Sequence, residues 1–352
     1  MTDYVVFIHG VNTREARETP HYADALFTQL QKEVGNDLAL KSIPLYWGDV
    51  NSYAEQELLK LYKDSSCWSQ LFFQDLREKQ LLQFTGDAAL FISRCTGMAV
   101  VEELKKQLKQ GLEGYNANTD RLHLITHSMG TVILFDILFS KRWDYDHVSQ
   151  PYSGAEEIRD LFFGLPPDEQ TGILLCSITT MGSPIDIYSL MMCPETNMPK
   201  THDITDRLEN MLQSINTRLN ARLPWRNFIH PADIIAFPLA RLLPEMLDQS
   251  NAFFDIKDIL TAPGVGMGLA GSDGNIANLH LLSNTMSLQA IMGMNLPDIL
   301  KKAGHLAELA QLMLYAGSAH GSYWTEQTVV SEIATMIKTV AQQVQSTRAA
   351  VH

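Results

Sequence analysis

The segment that most constrains this chain is Thr126-His127-Ser128-Met129-Gly130, because of what flanks it. A short apolar run, Leu122-His123-Leu124-Ile125, precedes it, and a nearly unbroken apolar stretch, Val132-Ile133-Leu134-Phe135, follows it. The pattern predicts a strand, a sharp turn and a buried helix. Such a turn holds its central serine in a strained backbone conformation at the end of a sheet, with the hydroxyl exposed and the following N–H groups pointing inward. Strand and helix must also pass closely, so the positions two before and two after the serine have to be small. Gly130 meets that demand, while the β-branched Thr126 stands where G-x-S-x-G has its first glycine. Ser128 is therefore a candidate nucleophile.

An activated serine needs a general base, and the base needs a group that holds its tautomer and balances its charge. Beyond the serine segment and the Trp143 loop, the histidines are His202, His230, His280, His305, His320 and His352. His320 stands out. It lies in Ala319-His320-Gly321-Ser322-Tyr323-Trp324, directly before a final helix predicted from the spacing of Val329, Ile333, Ile337, Val340 and Val344. His305 falls inside a predicted helix over 300–314, and His352 is terminal. For the acid, Asn227-Phe228-Ile229-His230 reads as a short strand, after which Asp233 is a lone carboxylate entering an apolar run. A turn or N-cap role is its ordinary alternative. Asp186 is the main competitor, because Met181-Gly182-Ser183-Pro184 also ends a predicted strand, 173–180.

At the N-terminus, Tyr4-Val5-Val6-Phe7-Ile8 reads as a buried strand running into His9-Gly10-Val11-Asn12. With these blocks in this order, the chain resembles the α/β-hydrolase superfamily, in particular its lipase-like and esterase-like members. The resemblance covers residues 4–12, 122–135, 173–184, 228–239 and 319–324. It implies an α/β-hydrolase fold: a mostly parallel, doubly wound sheet flanked by helices, with helical cap or lid insertions. It further implies Ser128, Asp233 and His320 as the triad, in the chain order Ser, acid, His, and the N–H groups of Val11 and Met129 as the oxyanion hole.

Composition narrows the partners. A formal net charge of −13 argues against nucleic acid or an anionic lipid surface, both of which call for a concentrated positive field. The first strand begins too early to leave room for a signal peptide, and no run of about eighteen apolar residues follows, so a soluble, cytoplasmic protein is expected. Cys67, Cys95, Cys176 and Cys193 lack C-x-x-C spacing and read as reduced thiols.

The chain is expected to be one domain over 1–352 with three insertions. A first helix should start at Thr19 as cap and Pro20, bury Leu26, Leu30 and Val34, and stop at Gly35, ahead of a strand over 38–47. Residues 51–114 are mostly helical in pattern, with Val100, Val101, Leu104 and Leu108 on one stripe. That is longer than one crossover helix needs and predicts a helical cap. Its aromatics Trp68, Phe72, Phe73, Phe84 and Phe91 are either plain core or the lining of a substrate channel. A second insertion is expected over 188–226, helical at 204–219. Between 259 and 297 the only formally charged residue is Asp273, and Met267, Met286, Met292 and Met294 accompany many glycines, which suits an adaptable lid over an acyl pocket or a permanently packed segment.

Gly266-Met267-Gly268-Leu269-Ala270-Gly271 matches a dinucleotide fingerprint in form only. Pro263 replaces the preceding strand, and no carboxylate follows about twenty residues on. No P-loop, H-E-x-x-H or zinc-type spacing occurs, so neither a nucleotide cofactor nor a metal is expected. The expected activity is serine-dependent hydrolysis of a small or lipid-like carboxylic ester. A thioester, an amide, or a catalytically idle binding module on the same fold are the alternatives.

Overall fold

The computed structural model of the chain describes residues 1–71, 94–144, 154–163, 172–186, 204–247, 252–261 and 318–351, together with Gln74, Glu78, Asp87 and Phe91. At its centre are six strands: β1 (Thr2–Ile8), β2 (Ala39–Leu45), β3 (Arg121–His127), β4 (Leu174–Met181), β5 (Leu223–Ile229) and β6 (Phe254–Leu260). They lie in the order β2-β1-β3-β4-β5-β6, and every neighbouring pair is parallel. Parallel strands need crossovers that cover both faces, so central strands should be buried on both sides. Every residue of β3 and of β4 is buried, whereas the edge strand β2 keeps exposed positions at Ala39 and Lys41.

Two helical layers supply the cover. On one face, α1 (Asp24–Val34) packs beside the long final helix, Gln327–Val351, which buries all five residues read from its spacing. Leu26, Leu30, Val330 and Ile333 meet Val5, Phe7, Ile125 and Phe228 there. On the other face lie α2 (Arg94–Gly111), α3 (Met129–Phe139), α4 (Gly154–Phe163) and α5 (Leu208–Leu219), over Val6, Ile8, Leu124 and Ile178. Helix α3 is buried along its whole length, the outcome expected of a helix that is apolar nearly all round.

The crossover from β1 leads outward to β2, and the later strands build in the opposite direction from β3. The chain therefore reverses its winding between β1 and β3. A crevice opens beyond the carboxyl ends of strands at such a switch point, and ligands of open α/β sheets bind there.

Several boundaries differ from the sequence reading. The first helix starts at Asp24, not near Thr19, and Gly35 ends it with φ 77°. Residues 223–226, expected in the second insertion, are the first half of β5, and the helix before them runs from Leu208 rather than 204. Ile259 and Leu260, assigned to the low-charge segment, close β6, an edge strand whose alternation the sequence reading passed over. Residues 52–63 and 94–111 of the expected cap are helical, and Phe91 is buried in the main core. Phe72, Phe73 and Phe84, the helix over 300–314 with His305, and residues 262–297 of the expected lid lie outside the described residues. Among the described residues, no helix is long and apolar enough to cross a membrane.

Candidate active site

Three segments meet at the carboxyl end of the sheet, beside the switch point. The first is the turn between β3 and α3. Ser128 has φ 52° and ψ −126°, a region that costs a non-glycine residue on the order of 1–3 kcal/mol. The surroundings hold it there. Its N–H donates to the carbonyl of Met181 (2.9 Å), and its own carbonyl accepts from the N–H (2.9 Å) and hydroxyl (2.7 Å) of Thr131.

The close approach that makes this turn possible is visible in its glycines. A Cβ on Gly130 would lie 2.4 Å from the Ile8 carbonyl oxygen, and one on Gly10 would lie 2.5 Å from the Ser128 Cβ. Neither position admits a side chain. Thr126 is accommodated differently: it is buried, and its hydroxyl donates to the Thr179 carbonyl across the sheet (3.1 Å).

The second segment follows β5. Asp233 is buried and accepts three hydrogen bonds: from His320 Nδ1 (2.8 Å) and the Tyr323 hydroxyl (2.7 Å) on Oδ2, and from the Ile235 N–H on Oδ1 (3.0 Å). Burial alone would raise its pKa, but the hydrogen bond and charge of His320, then Tyr323, then Ile235, outweigh it and leave the pKa below its ordinary value. Asp233 is thus an anion at neutral pH. An anionic acceptor fixes the proton of His320 on Nδ1 and leaves Nε2 as the basic nitrogen.

His320 sits in a helical turn over 318–321, where a loop was expected, and Tyr323 in the 3-10 turn Ser322–Trp324 that follows. The Tyr323 hydroxyl also accepts the His230 N–H (2.8 Å), tying this turn to the end of β5. Burial and then the Asp233 charge raise the Tyr323 pKa, so it stays a donor to that carboxylate.

The third segment follows β1. His9 is buried, and burial lowers its pKa to about 4, so it is neutral at physiological pH. Its Nε2 accepts the Trp47 N–H (3.1 Å), which leaves Nδ1 as the donor to the Gly10 carbonyl (2.6 Å). Trp47 stacks on the imidazole with an interplanar angle of 3°. The Gly10 carbonyl and the Val11 N–H belong to one planar peptide and point in opposite directions. By holding one end, His9 aims the other. Asn12, with φ 60°, is pinned through its N–H to Asp87 (2.8 Å), and Asp87 in turn holds Arg14 (3.0 Å). Met129 is the first residue of α3, where a helix leaves its N–H without an intrahelical acceptor.

The structure therefore brings Asp233 and His320 into direct contact and sets Ser128 on an adjoining turn. Gly182, next to the residue that accepts the Ser128 N–H, passes so close that a Cβ would lie 3.0 Å from the His320 ring and 2.9 Å from Asp233 Oδ2. Ser128 and His320 share no direct hydrogen bond. Such bonds are often long before substrate arrives. Val11 and Met129 flank Ser128 on the β1 and α3 sides, and the competing carboxylate, Asp186, is not the partner of His320.

Sequence reasoning gave no role to Tyr323, Gly182 or His127. Each lay inside a quoted block, but a role that depends on the far side of the molecule leaves no local signal. Among the described residues, no group of three or more His, Cys, Asp or Glu side chains is arranged to hold a metal ion.

No protein-family model matches the chain, and no curated protein matches it at a significant level. The case for function rests on the sheet and on the geometry at its carboxyl end.

Proposed function

We propose that the protein is a serine hydrolase of the α/β-hydrolase fold that cleaves carboxylic esters through an acyl-enzyme on Ser128. One observation carries the reading: a serine held at positive φ between β3 and a buried helix, at the sheet end where a buried aspartate grips a histidine at 2.8 Å. Backbone strain is maintained only where the surroundings enforce it, and it concentrates at functional sites.

In the proposed reaction the Ser128 oxygen attacks the ester carbonyl as His320 Nε2 takes the hydroxyl proton, and Asp233 balances the imidazolium. The carbonyl oxygen becomes an oxyanion facing the N–H groups of Val11 and Met129. Collapse of the tetrahedral intermediate breaks the bond to the alkoxy group, which leaves as an alcohol with the proton from His320. Water then gives its proton to His320 and attacks the acyl carbon. A second collapse releases the acid and returns the proton to Ser128. Thioesters and amides could use the same groups, because the triad does not specify the leaving group.

The test is a fluorophosphonate probe, which forms a bond only with an activated serine, together with hydrolysis of a panel of chromogenic esters. Labelling of the folded protein at Ser128, abolished by Ser128→Ala, is the expected result. A folded protein that neither labels nor hydrolyses any ester of the panel is an idle module, and the reading fails.

A further inference from the structure

His127, the last residue of β3 and the neighbour of Ser128, has no part in the reaction as proposed, yet it is buried against the turn that carries the base. Its Nε2 lies 2.6 Å from the backbone carbonyl oxygen of His320. A carbonyl only accepts, so this nitrogen carries the proton. The His127 ring lies 4.7 Å from the His320 ring, centroid to centroid, and is flanked by Tyr323 at 5.9 Å and Trp324 at 5.5 Å.

The Asp233 bond grips the imidazole and the Tyr323 bond grips the residues after it, while the His127 bond grips the main chain of His320 itself. A side chain can swing about χ1 with its tip held, so fixing Nε2 in space requires both the tip and the backbone to be anchored.

We propose that His127 is a positioning residue for the base: its Nε2–H, bonded to the His320 carbonyl, fixes the backbone from which the imidazole reaches Ser128. The inference rests on the reading of His320 as that base. It links the nucleophile turn to the base turn directly, since adjacent residues of one strand end supply the nucleophile and the anchor. Burial first, then the charge of His320, lowers the His127 pKa to about 3 against the opposing pull of the His320 carbonyl and Asp233, so the ring is neutral with its single proton on Nε2 over the working pH range.

The test replaces His127 by Gln, whose amide nitrogen reaches about as far as Nε2, and by Leu, which fills the space without a donor. Two readouts are taken on full-length protein: kcat and KM on a chromogenic ester, and the downfield proton resonance of His320 Nδ1–H bonded to Asp233. In His127→Leu, kcat is expected to fall on the order of a hundredfold with KM within about twofold, the cost typical of a misplaced catalytic group, and the resonance should broaden or vanish. His127→Gln should restore both to near wild type. If His127→Leu does not fold, His127→Asn, too short to reach the carbonyl, takes its place.

A folded His127→Leu with wild-type kcat and an unchanged resonance overturns the proposal. Equal impairment of Leu and Gln does so as well, by assigning the effect to ring packing. A wild-type protein without esterase activity defeats the hydrolase reading and not this one, because the resonance still reports whether the donor holds His320.

Discussion

Two Ser, His and Asp groupings occur among the described residues, and the tidier of them is not the candidate site. In the sheet interior, Ser177 Oγ lies 2.7 Å from His123 Nδ1, and His123 Nε2 lies 3.1 Å from Asp3 Oδ1, an unbroken chain of side-chain contacts. At the carboxyl end, Asp233 and His320 are joined but Ser128 has no direct bond to the histidine. Judged by hydrogen bonds alone, the interior set looks more like a triad.

Three physical differences reverse that ranking. Asp3, His123 and Ser177 are sealed from solvent within the strands of the sheet, so no substrate reaches them. Arg121 grips both oxygens of Asp3, at 2.6 and 2.7 Å, so the carboxylate is already neutralised and has little charge to lend an imidazolium. Ser177 also lies within β4, beside the bulge that leaves Cys176 out of register with β3, and not at a helix N-terminus whose N–H groups could face an oxyanion. Ser128 has a helix N-terminus behind it and the His9-aimed loop beside it, at the sheet end where the His320 side chain is 21% exposed. On the proposed reading, the candidate nucleophile is distinguished by the backbone it is mounted on.

The sharpest break of the comparison is between the two serines. Ser128→Ala should reduce ester turnover on the order of a millionfold, the usual cost of losing the nucleophile. Ser177→Ala should leave turnover per folded molecule unchanged and remove only one buried hydrogen bond, about 1–2 kcal/mol of stability. Turnover of both variants with their urea unfolding decides it. Activity surviving Ser128→Ala, or lost in a folded Ser177→Ala, would reverse the assignment of the two sets.

The aspartates come next. Asp233→Asn should lower kcat roughly ten-thousandfold by removing the charge that sets the His320 tautomer, while Asp186→Asn should stay near wild type. Measuring the two side by side identifies the acid. Asp3→Ala should act on stability instead: it leaves Arg121 buried without its partner, which costs about 3–5 kcal/mol, and the remaining folded molecules should turn over normally. A drop in turnover not matched by unfolding would tie the interior set to the chemistry.

Why the sequence revealed one set and hid the other follows from how each is built. The candidate site is made of segment ends, and ends are marked locally by His9-Gly10, Ser128 with Gly130, Asp233 after a strand, and His320 before the last helix. These marks, with the mostly apolar β3 and β4, made the parallel sheet legible and singled out Ser128, Asp233 and His320 as candidates. The interior set comes from three strands whose registry the sequence does not state, with His123 inside an otherwise apolar run. Tyr323 and His127 were hidden for the same reason, since their partners are 90 and 193 residues away in the chain. Strand β6 was missed because an edge strand with Asp255, Lys257 and Asp258 presents alternation too weak to separate from a loop.

A last expected effect, on stability and not on turnover, separates the two regions by pH. At the carboxyl end, burial lowers His9 to about 4, and burial with the charge of His320 lowers His127 to about 3, both from 6.5. The unfolded chain then binds protons that the folded one refuses, so stability falls as pH drops below about 6.5, by up to about 1.4 kcal/mol per pH unit for each histidine, and levels off once pH passes the folded values. In the interior, burial pushes the Asp3 pKa up, but hydrogen bonds from Arg121 and His123 prevail and bring it from 3.8 to about 2. Its contribution is complete above the unfolded value and is lost only as pH falls from about 4 toward 2. Urea unfolding between pH 7.5 and 4.5 should therefore be steep in the wild-type protein and shallower in His127→Gln by one histidine's share, while Asp3→Ala should be less stable throughout with the wild-type slope. If the Asp3 variant loses the slope in that range and His127→Gln retains it, the acid sensitivity belongs to the interior network and the contrast between the regions fails.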